Sequence, residues 1–443
     1  MWDDLGSSYA KDLGKVITYF LRQWLPTGRL AKNTFLVMFW QGGRIAAQAL
    51  WLVLIARTLG PEEYGTFSGI AGLGAALGSF AGFGLGLVMY QEVTRQPAIF
   101  GEYWRRTLVV TAASGILFAI AFALFGDRVF GDTEGWLTIA AIALSELFCF
   151  PLGTAAIFAF SAHERMGWSA ALSAILASLR VVAVTAFYFL AGTQTLAVYV
   201  WFHTAAAALF ASLAILLVQV LLRPAAAPLI LRWQDLRDGL GFSAVWVTSN
   251  ALTSLDKALA LRLAGDEVAG IYTSAYRFAA ILALPMDSLA AAALPRLFRG
   301  SHGAAANPRL VPSLLLVTFV YSLLAGTGLW LLADLLPLLL GKGFAAAAHA
   351  ARWMGLFLPC YGLRVLGGNL LMAGGHKTQR VLMESGSLVS LVLFGGWWLP
   401  RFGLDGAVMM VIATEALLCI ATWALLLFRR GFNPSNALNT LDR

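Results

Sequence analysis

Apolar residues arrive in long blocks along this chain, and polar ones mark the breaks between the blocks. A run of about 20 apolar residues crosses the roughly 30 Å hydrocarbon core of a bilayer as a helix. Twelve such runs can be drawn. In the first half they are 34–56, 66–89, 107–126, 136–160, 168–191 and 197–222, and in the second half 240–263, 268–293, 310–340, 351–373, 381–399 and 406–428. The pattern predicts an all-α, polytopic integral membrane protein whose helices form two parallel six-helix bundles around a central cavity.

The polar breaks add an internal repeat. Arg57-Thr58-Leu59-Gly60-Pro61-Glu62-Glu63-Tyr64-Gly65 separates the first two runs, and Arg262-Leu263-Ala264-Gly265-Asp266-Glu267-Val268-Ala269-Gly270 separates the seventh and eighth. Arg, Gly, Glu and Gly recur in register (57/262, 60/265, 62/267, 65/270), and Phe67 is matched by Tyr272. Repeated bundles are a mark of transporters, because two similar halves can rock about a site lying between them. The long polar stretch 223–239, with Pro224, Pro228, Arg232, Asp235, Arg237 and Asp238, reads as a cytoplasmic linker between a bundle at 34–222 and a bundle at 240–428. A cytoplasmic tail follows at 429–443. Ahead of the first run, Leu13, Val16, Ile17, Phe20, Leu21 and Trp24 repeat at helical spacing among Lys11, Lys15 and Arg22. Segment 1–33 is therefore expected to be an amphipathic helix on the membrane surface, or one that binds a partner.

Composition sharpens this picture. The chain is 59% apolar and 12% charged, against roughly half and a quarter for globular domains. Alternating the loops between the two membrane faces places most of the 31 Lys and Arg residues on the side of the N-terminus. By the positive-inside rule both termini are then cytoplasmic. The net charge of +8 reflects that topology and contact with anionic lipid, so no nucleic-acid partner is expected. Cys149, Cys360 and Cys419 all lie inside apolar runs without metal-ligand spacing and read as packing residues, so no metal and no disulfide is expected. No loop has room for an extramembrane catalytic domain, which argues against an enzyme, and no catalytic residue is assigned.

Several charges fall where lipid would not tolerate them. Arg44, Arg180 and Arg364 sit near the middle of their runs, and Arg277 lies well inside the eighth. A lipid-facing Arg at that depth costs about 2.5 to 3.5 kcal/mol, so each must face a cavity or a partner. Gln41, Arg44 and Gln48 fall at i, i+3 and i+7, forming one polar stripe on the first helix. Ser243, Asn250 and Lys257 do the same on the seventh. Equivalent helices carrying such stripes would line a positively charged chamber, and guanidinium groups suit phosphate or pyrophosphate because they donate paired hydrogen bonds. Gln41, Arg44, Gln48, Asn250, Lys257 and Arg277 are thus the candidate substrate-binding residues, with Arg180 and Arg364 as further cavity charges. The competing expectation is pairing with intramembrane acids. Asp256 precedes Lys257 and points about 100° away from it on a helix, which makes the two poor mutual partners. Asp256, Asp287, Asp334 and Glu415 are candidate carriers of a proton or sodium ion, the one form of gradient coupling the residues leave room for; no cofactor is expected.

At these residues the chain resembles a known family. Leu54 to Ser68 is similar to the segment between the first two helices of bacterial polysaccharide flippases, the Wzx-like branch of the multidrug, oligosaccharidyl-lipid and polysaccharide (MOP) exporter superfamily. Asp256-Lys257 followed by Gly265, Gly270, Tyr272, Ala275, Tyr276 and Arg277 resembles its seventh and eighth helices, and Pro400 to Ala407 resembles its turn between helices eleven and twelve. The resemblance extends from about residue 30 to 428. It implies a twelve-helix exporter that moves undecaprenyl-pyrophosphate-linked oligosaccharide across the bacterial inner membrane by alternating access, for surface polysaccharide synthesis, with Arg44, Lys257 and Arg277 receiving the pyrophosphate and sugar. Its partners would be that lipid-linked substrate, membrane lipids and polysaccharide polymerase or export proteins. The rival readings are a multidrug exporter of organic cations with the same fold, a membrane-embedded glycan polymerase or ligase, and a scaffold acting through segment 1–33.

Overall fold

The computed structural model describes residues 29–130, 135–230, 232–300 and 310–428; segment 1–28 and the tail 429–443, with the roles expected of them, lie outside these. Among the described residues every regular element is helical and none is a strand. In chain order the α-helices are α1 (Arg29–Gly78), α2 (Leu85–Arg95), α3 (Phe100–Phe130), α4 (Trp136–Ala143), α5 (Phe150–Ala162), α6 (Met166–Leu190), α7 (Leu196–Leu221) and α8 (Trp233–Leu252). They continue as α9 (Leu255–Ala264), α10 (Asp266–Gly300), α11 (Leu310–Leu332), α12 (Leu335–Leu340), α13 (Ala347–Met354), α14 (Phe357–Ala373) and α15 (Lys377–Phe428). A π-helical turn, Leu144–Cys149, joins α4 to α5.

The twelve expected apolar runs are mostly helical, with turns inside them at 79–80, 253–254, 333–334 and 355–356, and they are not twelve separate elements. Among the described residues seven helices are long and apolar enough to cross a membrane, or nine if each of two bent pairs counts as one span. The difference has local causes. α1 holds the first expected run and the start of the second, joined through Gly60, whose φ of 76° and ψ of 177° interrupt the helix. The chain reverses there: Trp51 and Phe67 bring their rings to 6.3 Å, whereas sixteen residues of straight helix would separate them by about 24 Å. α15 reverses likewise at Gly403, where a Cβ on Gly395 would stand 2.9 Å from Met410 Sδ. The seventh run is broken at Thr253–Ser254 into α8 and α9, and its polar stripe lowers its hydropathy. The stretch 223–239, expected as a linker throughout, is non-helical at 223–230 and at Arg232, but Trp233 already begins α8.

The sequence repeat has a structural counterpart. Gly265, the match of Gly60, has φ 94° and ψ 171°, nearly the same conformation and one that essentially only glycine adopts. The two repeats also touch each other at equivalent positions. Gly65 and Gly270 pack backbone to backbone, each leaving no room for a Cβ on the other. One turn further on, Ser68 Oγ donates to Thr273 Oγ1 at 3.2 Å, across the same offset of 205 residues. A contact of each residue with its own counterpart is the signature of a two-fold relation. α1 therefore meets α10 along a pseudo-symmetric seam, with α6 and α9 also packed against α1. The largest core cluster surrounds this seam and includes Trp51, Tyr64, Phe67, Tyr199, Tyr272 and Phe357.

Each end of the assembly is tied by its own contacts. At the Gly60 end, Arg57 reaches the carbonyls that terminate α12, donating to Leu339 O at 2.6 Å and Leu338 O at 2.7 Å. A guanidinium suits the negative end of a helix. At the opposite end, Arg106, only 1% exposed, forms ion pairs with Glu102 on its own helix and with Asp235 on α8. Tyr103 Oη donates to the same Asp235 at 3.1 Å, and Arg105 donates to Ala227 O at 2.7 Å. Gly84 and Gly239 meet backbone to backbone nearby.

Candidate functional site

A cavity of about 250 Å³ opens between the first-half helices and α8. Its wall is made by Ala75, Gly78 and Ser79 at the end of α1, Gly84, Gly86 and Leu87, Thr107 and Thr111 of α3, and Phe150, Thr154 and Phe158 of α5. Ser243, Asn250 and Ser254 close it from the other side. Glycine lets the walls come close: Gly74 and Gly78 lie directly against Glu146, and Gly82 against Thr111. The lining is rich in hydroxyl groups, and its charged member is an acid, Glu146.

This corrects the expectation of a cation-lined chamber. Of the six residues expected to bind substrate, Asn250 lies on this wall, while Gln41, Arg44, Gln48, Lys257 and Arg277 do not. The reason is the cost of leaving a buried charge unpaired, which several of the cations have avoided. Lys257, 6% exposed, sets its Nζ 3.0 Å from both carboxylate oxygens of Asp256, donates to Thr253 O at 2.7 Å and lies 4.0 Å from the Tyr276 ring centre. The expected divergence of Asp256 and Lys257 is therefore overturned. A lysine carries its charge on a flexible four-carbon stem, long enough to wrap back to the neighbouring residue. Asp256 is fully buried and also accepts from Tyr272 Oη at 2.5 Å, so it is closed off within protein.

Arg364 is likewise committed. Its Nε pairs with Glu415 Oε2 at 2.5 Å and its guanidinium lies 4.9 Å from the Tyr361 ring centre. Beside it, Arg380 pairs with Glu384 at 2.9 Å, and together these side chains border a small crevice between α14 and α15. Asp287 accepts from Tyr361 Oη at 2.9 Å. Asp334 is exposed and held by Arg352 at 2.6 Å. The four acids considered as ion carriers thus each have a partner, and none of them lies on the cavity wall.

The remaining arginines differ. Arg44 and Arg277 are half-buried, each with an Nε lacking a hydrogen-bond partner, and among the described residues neither forms an ion pair. Arg277 lies 4.7 Å from the ring centre of Trp51, and Arg180 lies 5.8 Å from that ring on the same core, so one indole serves two guanidinium groups. Arg180 also stacks 4.6 Å over Phe150, a wall residue of the cavity, and stands 3.9 Å from Glu146. Trp51 is fixed by donating to Tyr199 Oη at 3.0 Å. A pair of arginines with a single loosely placed acid leaves net positive charge at this depth. Gln41, whose Oε1 has no partner, and Gln48 remain half-buried on the same helix as Arg44.

Reading the sequence for cations passed over Glu146 as a wall residue, and it did not single out His203. An ionisable residue inside an apolar run was the available signal for both.

A profile of the family described as "Polysaccharide biosynthesis protein" matches residues 30–301. Among solved structures, an inward-facing multidrug resistance MATE family transporter of the MOP superfamily has a TM-score of 0.71 at 14% identity, covering 91% of this chain and 96% of that one. The lipid II flippase MurJ in an inward closed conformation gives 0.71 at 12% identity, covering 91% and 89%. A MOP superfamily transporter from Pyrococcus furiosus, described by the reverse polarity of its binding pocket, gives 0.59 at 14% identity, covering 90% and 94%. At these identities the shared property is the fold. No curated protein matches the chain in sequence.

Proposed function

Because the chain belongs to the polysaccharide biosynthesis protein family and has the fold of the MATE transporters and of a lipid II flippase, we propose that it is a flippase and not an enzyme. Its cargo is an undecaprenyl-pyrophosphate-linked oligosaccharide unit, moved from the cytoplasmic to the periplasmic leaflet of a bacterial inner membrane. Both termini lie in the cytoplasm, and bundles 34–222 and 240–428 rock about the seam of α1 and α10. The observation that carries this reading is the arginine pair around Trp51, at mid-span and beside a hydroxyl-lined cavity. A sugar diphosphate entering hydrocarbon would lose its hydration and hydrogen bonds. Guanidinium groups replace them bidentately, and the hydroxyl-bearing walls replace those of the sugar. Arg277, Arg44 and Arg180 hold the pyrophosphate; Asn250, Gln41 and Gln48 contribute hydrogen bonds.

One feature favours a second reading, an exporter of organic cations: the charged group on the cavity wall is the acid Glu146. Proteoliposomes decide between the two. On the flippase reading, a labelled polyprenyl-pyrophosphate oligosaccharide crosses at a rate that falls at least tenfold in Arg277→Gln, while a lipophilic cation such as ethidium is not moved. Transport of the cation alone would overturn it, as would lipid flipping by Arg277→Gln and Arg44→Gln at the wild-type rate.

A further inference from the structure

His203 of α7 is a buried polar group with no role in the site described above. It is 1% exposed, and among the described residues neither ring nitrogen has a well-formed hydrogen bond. Phe67 at 5.1 Å, Phe150 at 5.7 Å and Tyr199 at 6.0 Å box it in. An orphaned imidazole in such a box costs on the order of 1–3 kcal/mol, and native structures rarely tolerate one without a reason. Its Nε2 stands 3.5 Å from Glu146 Oε1, at the outer limit of hydrogen-bond distance.

Glu146 is placed to exploit that gap. It sits on the π-helical turn Leu144–Cys149, at the middle of its span, 8% exposed and on the cavity wall. π-turns disturb the regular ladder and recur at functional positions. The cation facing Glu146 is Arg180, and 3.9 Å is a loose approach for an ion pair at mid-membrane. Behind Arg180, across Trp51, lies Arg277, which repels it. The other titratable neighbours are Tyr199 and Cys149; α1 and α3 face the site with Gly74, Gly78 and Thr111, and α8 with Ser243 and Asn250, all uncharged.

We propose that Glu146 and His203 form a proton-binding site that switches the cavity from acidic to cationic, so that the anionic headgroup and a proton bind together. A proton from water in the cavity adds to the Glu146 carboxylate, and the resulting hydroxyl donates to the free Nε2 of neutral His203. No other bond is made or broken, and the proton returns to water on release. Loss of the carboxylate charge frees Arg180, already stacked on the wall residue Phe150, to join Arg277 in receiving a diphosphate. Coupling of this kind is reciprocal: the proton tightens anion binding as much as the anion tightens proton binding. The inference rests on the anion-receiving reading of the cavity, and it accounts for an acid on the wall of such a site.

The test uses the purified full-length protein in nanodiscs with inorganic pyrophosphate as probe. Infrared difference spectra across a pH titration should show a protonated-carboxyl band that disappears in Glu146→Gln and shifts in His203→Gln and in the conservative Glu146→Asp. Calorimetry in buffers of different ionisation enthalpy should find about one proton taken up per pyrophosphate bound, with affinity falling about tenfold per pH unit above the titration. In Glu146→Gln, pyrophosphate should still bind but without proton uptake. A carboxyl band unchanged in Glu146→Gln, or proton uptake persisting in that variant, overturns the proton site. Absence of pyrophosphate binding in the wild type, with the Glu146 band present, overturns the anion-receiving reading and leaves the proton site standing. A variant that fails to fold is recognised by its melting curve, and the Glu146→Asp band shift then decides.

Discussion

The contact between α3 and α8 invites a quantitative perturbation. Arg106 is almost fully buried and shared between Glu102, on its own helix, and Asp235, across the divide. Asp235 is the group that ties the halves, since it also accepts from Tyr103. Replacing it by Asn keeps the shape and one hydrogen bond while removing the charge. Breaking a buried ion pair outright costs on the order of 3–5 kcal/mol. Here Glu102 remains beside Arg106, and Asp235 keeps 12% of its side chain exposed, so about half of the lower figure, about 1.5 kcal/mol, is the expected loss. On the alternating-access reading only the closed state makes this contact, and the loss should then appear as about a tenfold rise in the population open at that end. Spin labels on the exposed positions Arg95 and Trp233, with Cys149, Cys360 and Cys419 replaced, would report it by electron–electron double resonance. Asp235→Asn should add a longer-distance component. Arg106→Gln should add the same one, and combining the two should add little more, because both remove one interaction. A distance distribution identical to wild type in both single variants would refute a gating role for this contact.

Other substitutions probe the fixed parts. Asp256→Asn strands the buried Lys257 ammonium and should lower thermal stability in detergent by about 3 kcal/mol or more, with much of the loss recovered in Asp256→Asn/Lys257→Met; a single variant as stable as wild type would mean that Lys257 reaches water. Gly60→Ala and Gly265→Ala each force a side chain into the glycine-only conformation and should each cost about 1–3 kcal/mol, read by thermal melting; a loss at one site alone would break the equivalence of the repeats. Arg57→Ala removes two hydrogen bonds to the end of α12 and should raise labelling of a cysteine at Leu338, with unchanged labelling showing that this end is held by packing alone.

Much of the fold was legible because bilayer thickness imposes a strong length rule on apolar runs, and the expected runs are mostly helical. The reversals at Gly60 and Gly403 fall in the breaks 57–65 and 400–407 that the sequence marks; what could not be read were the breaks inside runs, such as Thr253–Ser254. The site was less legible. Charges at mid-span advertise themselves, but their partners lie far apart in sequence, as in Arg364 with Glu415 or Arg180 with Glu146. Helical periodicity fixes a Cβ direction and not the end of a long side chain, which is why Lys257 and Asp256 meet against expectation. His203 stood alone in an apolar run, and only the fold brings Glu146 to it.

At Gly65 and Gly270 two helices face each other as bare backbone, with no knobs set into holes. Such a smooth bearing has no rotamers to climb when one strut slides past its twin, so shear there meets little friction while the distance between axes stays fixed. On the proposed rocking cycle this bearing is the pivot, and the strong ties, Arg57 at one rim and Arg106 at the other, decide which mouth is shut.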